Sequence, residues 1–582
     1  MSMLDVYLLW RELATLDIDV VEELRQIANE PAQIEDRFYR ELEFGTGGLR
    51  GMIGAGINRM NVHTVAKATQ GYSQYINAKF IAPMAAIAYD SRIKSSRFAQ
   101  AAAEVFAGNG IQVWMYPQIM PTPSLSFAVR SLGCSGGIVI TASHNPAKYN
   151  GYKVYGPDGC QITTEAASEI QQRIDAVNPF ADVLRIDFEE GVRSGIIRII
   201  GEDTIRRYLD AVAGASVLPR TVDRGVSIVY TPLNGAGINC VPRCLTENGF
   251  TNIVIPDEQH EPDGNFPTCP FPNPEVREAL DVGLRWAEQT GSELLLATDP
   301  DCDRVGAAVR SRDGYTLING NEMGVLLFDF ICRMRLASGT MPKHPVAVTT
   351  IVTTPMAKRV AAKYGVELID VLTGFKFIGE QIGLLESKHE ETRYIFGFEE
   401  SYGYLSGTFV RDKDAVNASL LICELFAYYK AQGKSLLDVL DTLYEQFGFY
   451  QSRLLSFSFD GSTGFAKMNA LMASLRDEPL SQIAGLSVEA VADYQLSVRT
   501  QDGKEEPIDL PKSNVIRFFL LGGNEVVIRP SGTEPKLKIY LTATSDSKAA
   551  CVKLLDEMER DMNATVYEDR ASARESVLER QP

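Results

Sequence analysis

A serine that follows a buried strand and enters a polar, glycine-bearing turn can be presented as a nucleophile for group transfer. GGIVITASHNPAKYNGYKVYG, residues 136 to 156, has that layout. Gly136 and Gly137 precede a β-branched run from Ile138 to Thr141, which reads as a buried strand. Ser143 then enters a loop with the turn-forming pairs Asn145-Pro146 and Asn150-Gly151, and Lys153 follows. Most serines after strands cap or decorate turns, so this segment alone admits both readings. On extended backbone, neighbouring side chains point to opposite faces, so Ser143 and His144 are not expected to form a relay. Activation must then come from a metal, or from the serine carrying a phosphoryl group itself.

ATDPDCDRVG, residues 297 to 306, places Asp299, Asp301 and Asp303 in alternation. Three hard oxygen donors suit Mg²⁺ better than a soft metal. Carboxylates this close repel unless something positive lies among them, although a carboxylate-rich Asx-turn is the plain alternative. An EF-hand is excluded, because its sixth position would be Arg304 instead of Gly and its twelfth Arg310 instead of Glu. GCSGG, residues 133 to 137, matches a nucleophile elbow at Ser135, but a strand follows where a helix is required. No GxxxxGK[ST] signature occurs. With five histidines in the chain, a histidine-rich centre is not expected.

Two further loops bear on ligand binding. GFEESYGYLSG, 397 to 407, sets Glu399 and Ser401 as acceptor and donor for vicinal hydroxyls. VIRPSGTEPKLKIY, 527 to 540, offers Arg529 with the hydroxyls and backbone N–H groups of Ser531, Gly532 and Thr533, a phosphate cradle. Taken singly, Glu399 reads equally as a surface ion pair, and the arginine loop as a turn packed on its own side chain.

In this order, and together with FGTGGLRG from residue 44, these segments resemble the α-D-phosphohexomutases, the family of phosphoglucomutases and phosphomannomutases. The match spans nearly the whole chain and is closest to the long bacterial members. The resemblance implies four domains around a central cleft: three related α/β domains with mostly parallel mixed sheets, and a C-terminal α+β domain. It implies that Asp299, Asp301 and Asp303 hold Mg²⁺, with an oxygen of phosphorylated Ser143 completing the shell and Arg304 beside them. Arg50 and Lys153 would flank the reacting phosphoryl group, either one assisting proton transfer, and His144 joins the catalytic set beside the serine. Thr373, Gly374 and Lys376 (TGFK) and Lys413 (VRDKDAV) match ligand-contacting segments, and Arg304, Glu399, Ser401, Arg529, Ser531, Gly532 and Thr533 complete the substrate set. The implied reaction relocates phosphate by double transfer. Phospho-Ser143 phosphorylates a hexose monophosphate, the bisphosphate turns over, and its other phosphate returns to Ser143. Glucose 1,6-bisphosphate is thus intermediate and activator, and the last domain is expected to be mobile. FEESYGY resembles the GEESFG form of glucose-directed members, which favours α-D-glucose 1-phosphate and glucose 6-phosphate. Phosphomannomutase, phosphopentomutase and glucose-1,6-bisphosphate synthase activities remain alternatives.

The elements that must position these loops are legible. The first forty residues read as a helical extension, with Val21, Leu24 and Ile27 at helical spacing. α/β domains follow over 41–205, with the serine loop, 206–320, with the aspartate loop, and 321–449, with the Glu399 loop. An α+β domain covers 450–582. AAIAYDSR, VSIVYTPLNGAG, ELLLATDPD and VELIDVLTG are strand-to-loop transitions, which places Ser143, Asp299 and Thr373-Gly374 after strands, where open α/β sheets bind ligands. A helix is expected around Lys548 to Met562, with a frayed or disordered tail after about Tyr567.

Composition sets the outer bounds. Hydrophobic residues at 45% and charged residues at 23% are those of a globular protein. A net charge of −18 argues against nucleic acid or an anionic membrane surface as partner. Phosphates must therefore meet local positive charge, from Arg50, Lys153, Arg304, Lys413 and Arg529. No stretch of about 18 apolar residues suggests a membrane span, and the N-terminus lacks the features of a signal peptide. Nine cysteines without CxxC pairs suit reduced thiols in a cytoplasmic protein, a monomer or weak homo-oligomer acting on a phosphosugar.

Overall fold

The computed structural model describes residues 2–45, 47–459, 464–530 and 536–578, the last helix by its backbone alone from 568 onward. Its contacts group into two compact units: Met1–Val348 with Gly374–Leu436, and Thr349–Thr373 with Leu437–Pro582.

The first unit opens with three short helices, Met3–Leu13, Ile18–Gln26 and Pro31–Phe38. Ser2 and Asp5 form a capping box on the first, and Asp17 caps the second. Their apolar stripes close on each other, so that Tyr7, Trp10, Leu24, Ile34 and Phe38 make a small core of their own.

The first α/β module has a six-stranded sheet. At its centre Met84–Tyr89 pairs in parallel with Gln112–Met115 and Gly136–Ile140. Met84–Tyr89 and Gly136–Ile140 are short apolar runs buried on both faces, as parallel strands covered by helices must be. Beyond Gly136–Ile140 the sheet turns antiparallel: Tyr149–Tyr155 pairs with it, and Leu49–Met52 pairs with Tyr149–Tyr155. The serine loop is therefore an antiparallel connection between two paired strands. Gly136 has no room for a side chain, since a Cβ there would lie 2.0 Å from the Tyr72 hydroxyl.

The second module repeats the plan in five strands. Ile228–Thr231 pairs in parallel with Ile253–Val254 and Leu294–Thr298, and Leu294–Thr298 pairs antiparallel with Val305–Ser311. Residues 299–304 form the turn of that last hairpin. In the third module the antiparallel strands Tyr394–Glu399 and Gly403–Leu405 frame Ser401. The long buried helix Ala415–Lys430 follows the RDKD segment.

The second unit holds the helix Met356–Tyr364, the strand Glu367–Val371 and an antiparallel sheet built on Ile516–Leu520, Asn524–Pro530 and Lys536–Ser545. The closing helix runs Lys548–Leu578, well past the expected end near Met562. Among the described residues no helix is long and apolar enough to cross a membrane.

His63 lies beneath the N-terminal helices, 2% exposed, with ring centroids 5.5 Å from Trp10 and 5.3 Å from Phe180. Its Nε2 has no hydrogen-bond partner among the described residues. Burial, aided by the Arg185 cation, lowers it to about 4. A base depressed on folding stabilises the fold above its unfolded pKa and loses that contribution as pH falls. Acidification from about 6.5 to about 4 should therefore cost about 3 kcal/mol through this residue. Denaturant titrations across that range should show a shallower pH slope for His63→Gln than for the parent. An unchanged slope would mean that other groups set the acid limit.

Candidate active site

Ser143 sits three residues past Gly136–Ile140 with φ +51°, a left-handed conformation that is uncommon outside glycine. This overturns the expectation of opposed neighbours. The extended-backbone argument does not apply at φ +51°, and Ser143 Oγ lies 3.3 Å from His144 Nδ1. Burial, with the Arg304 and Arg50 cations nearby, pushes His144 well below the usual histidine range, so the ring is neutral.

The serine hydroxyl donates to Asp299 Oδ2 at 2.9 Å. Asp299, Asp301 and Asp303 each offer a carboxylate oxygen, and these oxygens lie within 4.8 Å of one another in a buried cluster. An extended D-x-D-x-D would spread side chains on one face about 7 Å apart. Here Cys302 takes φ +53° and the turn draws them together. Asp299 Oδ1 accepts from the N–H groups of Asp303 at 3.1 Å and Arg304 at 2.9 Å. Asp301 Oδ2 receives Lys153 Nζ at 2.7 Å and the Thr122 hydroxyl at 2.8 Å. Asp303 Oδ2 receives Lys153 at 3.1 Å and Lys413 at 3.0 Å.

Charge follows that geometry. Burial and the negative Asp301 and Asp303 push Asp299 well above the usual carboxylate range. Burial works the same way on Asp303, but Lys153, Lys413 and Arg304 outweigh it and hold that group ionised. Lys153 is raised: burial opposes its charge, and Asp301, Asp303 and Asp412 outweigh burial. It is thus a fixed cation, with no capacity to accept a proton.

Asp301 Oδ1 and Asp303 Oδ1 are buried and have no hydrogen-bond partner among the described residues. Arg304 Nε lies 3.9 Å from Asp303 Oδ1. Two unpartnered carboxylate oxygens beside Asp299 and the serine hydroxyl make a donor set that fits a hard divalent ion.

The other expected residues divide by unit. Arg304 ion-pairs with Glu275. Arg50, exposed on Leu49–Met52, donates to Asn145 Oδ1 at 3.3 Å in the serine loop. Glu399, 4% exposed, accepts from the Gly374 N–H at 2.7 Å, which joins the TGFK turn to the Glu399 loop. Ser401 is half-buried at the hairpin turn, next to Tyr402 at φ +64°. Lys376 lies over the Phe377 ring. Thr373 ends the 349–373 segment of the second unit, its hydroxyl buried without a partner among the described residues. Arg529 is half-buried in the second unit, in register with Lys538. Ser531, Gly532 and Thr533 lie outside the described residues.

Sequence reasoning missed Arg92. Its guanidinium, 3% exposed as a residue, donates to the carbonyls of Ser143, Asn145, Pro146 and Tyr149, the last two at 3.0 and 3.1 Å. Asp90 lies 3.5 Å away, and the Phe266 ring faces the guanidinium at 5.1 Å. The signal was present in AAIAYDSR: an acid and a base two residues apart, directly after a buried strand.

Ser143, the aspartate turn and the cations Lys153 and Lys413 thus meet at one buried site on an α/β scaffold. The chain matches the phosphoglucomutase/phosphomannomutase models for α/β/α domain I over residues 41–179, domain II over 206–314, domain III over 319–447 and the C-terminal domain over 484–557. It belongs to that family. It is similar to a phosphoglucomutase of Staphylococcus aureus (strain USA300), 36% identical over 568 residues, covering 95% of this chain and 99% of the relative. A phosphoglucomutase of Staphylococcus haemolyticus is 38% identical over 517 residues, covering 88% and 92%. Among solved structures, the open form of the Paramecium phosphoprotein pp63/parafusin, a phosphoglucomutase, superposes with TM-score 0.64 at 17% identity, covering 91% of this chain and 96% of that one.

Lysine offers one ammonium where Arg92 offers a planar fork to four carbonyls. Arg92→Lys should therefore lower kcat by about 100-fold, the order expected for a nucleophile misplaced by about 1 Å. KM should stay within about threefold, because the substrate contacts are untouched. Steady-state kinetics decide this, and a wild-type kcat would remove Arg92 from the account.

Proposed function

We propose that the protein is a phosphoglucomutase that interconverts α-D-glucose 1-phosphate and glucose 6-phosphate through a phosphoserine at Ser143. The observation that carries this reading is the Ser143 hydroxyl hydrogen-bonded to Asp299 inside a buried triad with unpartnered oxygens. In the first half-reaction the bond between phosphorus and Ser143 Oγ breaks. A new bond forms to the free sugar hydroxyl, whose proton leaves to the site. The second half-reaction returns the other phosphate of glucose 1,6-bisphosphate to Ser143. Asp299 Oδ2 and His144 Nδ1 are the groups within reach of the serine oxygen when its proton moves.

Most of the work is positioning and charge stabilisation. Lys153 supplies a fixed positive charge beside the reacting group, and Arg50 reaches it from the rim. Lys413, Lys376, Glu399 and Ser401 orient the sugar, with Gly374 fixing Glu399 through its N–H. Arg304 and Thr373 complete the proposed substrate residues, and Arg529 with Ser531, Gly532 and Thr533 takes the non-reacting phosphate. Asp299, Asp301 and Asp303 would hold Mg²⁺, which supplies positive charge next to the serine oxygen and the phosphoryl oxygens. The relatives named phosphoglucomutase, together with the FEESYGY loop, support glucose over mannose or pentose phosphates. The nine cysteines, all free and buried, suit a reducing cytoplasm.

Phosphorus NMR of the protein with Mg²⁺, a trace of glucose 1,6-bisphosphate and α-glucose 1-phosphate should show glucose 6-phosphate forming without free phosphate. Ser143→Ala should abolish this, a loss of at least about 1,000-fold for removal of a covalent nucleophile. Release of inorganic phosphate would make the enzyme a hydrolase instead. Chelation with EDTA should stop turnover and Mg²⁺ restore it. Asp303→Asn should weaken Mg²⁺ binding by calorimetry at least tenfold, on the order seen when a metal site loses a supporting group. Full activity in EDTA would refute the metal assignment.

A further inference from the structure

Arg411, Asp412, Lys413 and Asp414 are four consecutive charged residues, exposed by only 0%, 1%, 8% and 0%. Such a run ordinarily stays in water, and each buried charge needs a partner. Each of these finds its partner on a different element. Arg411 ion-pairs with Glu386 of the helix Phe375–Ser387 at 2.7 Å, and its N–H donates to Ser126 Oγ at 2.9 Å. Asp414 caps Ala415–Lys430 through the N–H groups of Val416 and Asn417, and accepts from the Tyr208 hydroxyl at 2.9 Å. Lys413 reaches Asp303 in the aspartate turn. Asp412 Oδ2 accepts from the Tyr155 hydroxyl at 2.8 Å and Gln161 Nε2 at 3.0 Å.

The other oxygen of Asp412 faces Lys413. It accepts the Lys413 N–H at 2.9 Å and lies 3.7 Å from Nζ. Lys153 and Tyr155 are two apart on the strand Tyr149–Tyr155 and so share a face of the sheet. One points its ammonium at Asp301 and Asp303, and the other its hydroxyl at Asp412. The contacts therefore close a ring from Lys153 to Asp303, Lys413, Asp412 and Tyr155, and back along the strand. Asp412 touches no oxygen of the triad. Its carboxylate is held by the strand that carries Lys153, and it sits beside the lysine that would meet the ligand.

We propose that Asp412 is a positioning residue. Oriented by the Tyr155 hydroxyl, it sets the direction of Lys413 and through it the affinity for the hexose phosphate. This rests on the assignment of Lys413 as a ligand contact in the proposed function. Without Asp412 the ammonium keeps its ion pair with Asp303 and loses the carboxylate that is held by the strand carrying Lys153. Tyr155→Phe keeps every charge and removes the hydrogen bond that aims the carboxylate, together with the longer 3.4 Å bond that the hydroxyl accepts from Gln161 Nε2.

Asp412→Asn, Tyr155→Phe and the double variant test this in the full-length enzyme. Each single change should raise KM for glucose 1-phosphate about tenfold with kcat within about threefold, the signature of lost ground-state binding. The double variant should be no worse than the weaker single one, because both act through one contact. Hydrogen exchange, which needs no substrate, should quicken over residues 408–414 in Tyr155→Phe and stay unchanged in the body of Ala415–Lys430. Unchanged KM in both single variants, additive KM effects, or exchange that quickens throughout the helix would overturn the proposal. Failure of the wild type to turn over glucose 1-phosphate would instead sink the functional reading. Exchange confined to 408–414 would then still support the Tyr155–Asp412 contact as what fixes the loop, and its absence would refute it.

Discussion

Everything around Ser143 answers to one constraint: three carboxylates are packed into a space from which water is nearly absent. Asp299 and Asp301 are 0% exposed and Asp303 is 1% exposed. Unpaired charges so placed would cost several kcal/mol each. The chain meets this with cations from separate modules, Lys153 from the first sheet and Lys413 from the segment before Ala415–Lys430, and with the Thr122 hydroxyl at the start of a helix of the first module. The modules are joined at the site by the same contacts that make the site possible. Neutralisation is also unequal. Asp299, next to the serine, is the carboxylate pushed upward, whereas Asp303, shared by two lysines, is held ionised.

The backbone carries a second share of the cost. Ser143, Cys302 and Tyr402 are non-glycine residues at positive φ, one in each of three functional loops. Left-handed conformations at such residues persist only where the surroundings over-determine them. For Ser143 the surroundings are explicit: Arg92 gathers four carbonyls of the loop, and the Thr141 hydroxyl accepts the Ser143 N–H at 2.7 Å. Ser143 is thus fixed from its carbonyl side by an arginine and from its hydroxyl side by an aspartate.

How much of this can be read from the chain depends on the kind of signal. Strand-to-loop transitions were legible because short apolar runs ending in polar turns have few other uses, and Met84–Tyr89, Gly136–Ile140 and Leu294–Thr298 lie where those runs are. The triad was legible because its three members are close in sequence. Arg92 was not, since its partners lie more than fifty residues away and are backbone carbonyls, which carry no side-chain signature. The burial of RDKD was not legible either. Composition describes a solvated charge run, and only the tertiary arrangement supplies Tyr155, Glu386, Asp303 and Tyr208 as partners. The His144 contact was lost to an assumption about local backbone that Ser143 does not obey.

A buried charge network of this size is poor evidence of stability. Replacing such an array by apolar residues of similar volume is often neutral or stabilising, whereas removing one member costs about 3–5 kcal/mol. What charges do better than hydrocarbon is fix direction, since an ammonium between two carboxylates has a defined position and a leucine in a pocket has several. Phosphoryl transfer needs that property, because its barrier falls chiefly through placement of charge around a group that moves little. Asp303 shared between Lys153 and Lys413, and Asp412 shared between Tyr155 and Lys413, join the cation on the strand Tyr149–Tyr155 to the cation of the RDKD segment. A displacement of either end is felt at the other through two hydrogen-bonded carboxylates. On this argument the fold accepts the desolvation of a charged run in exchange for a single geometry in which Ser143, the triad and Lys413 are defined together.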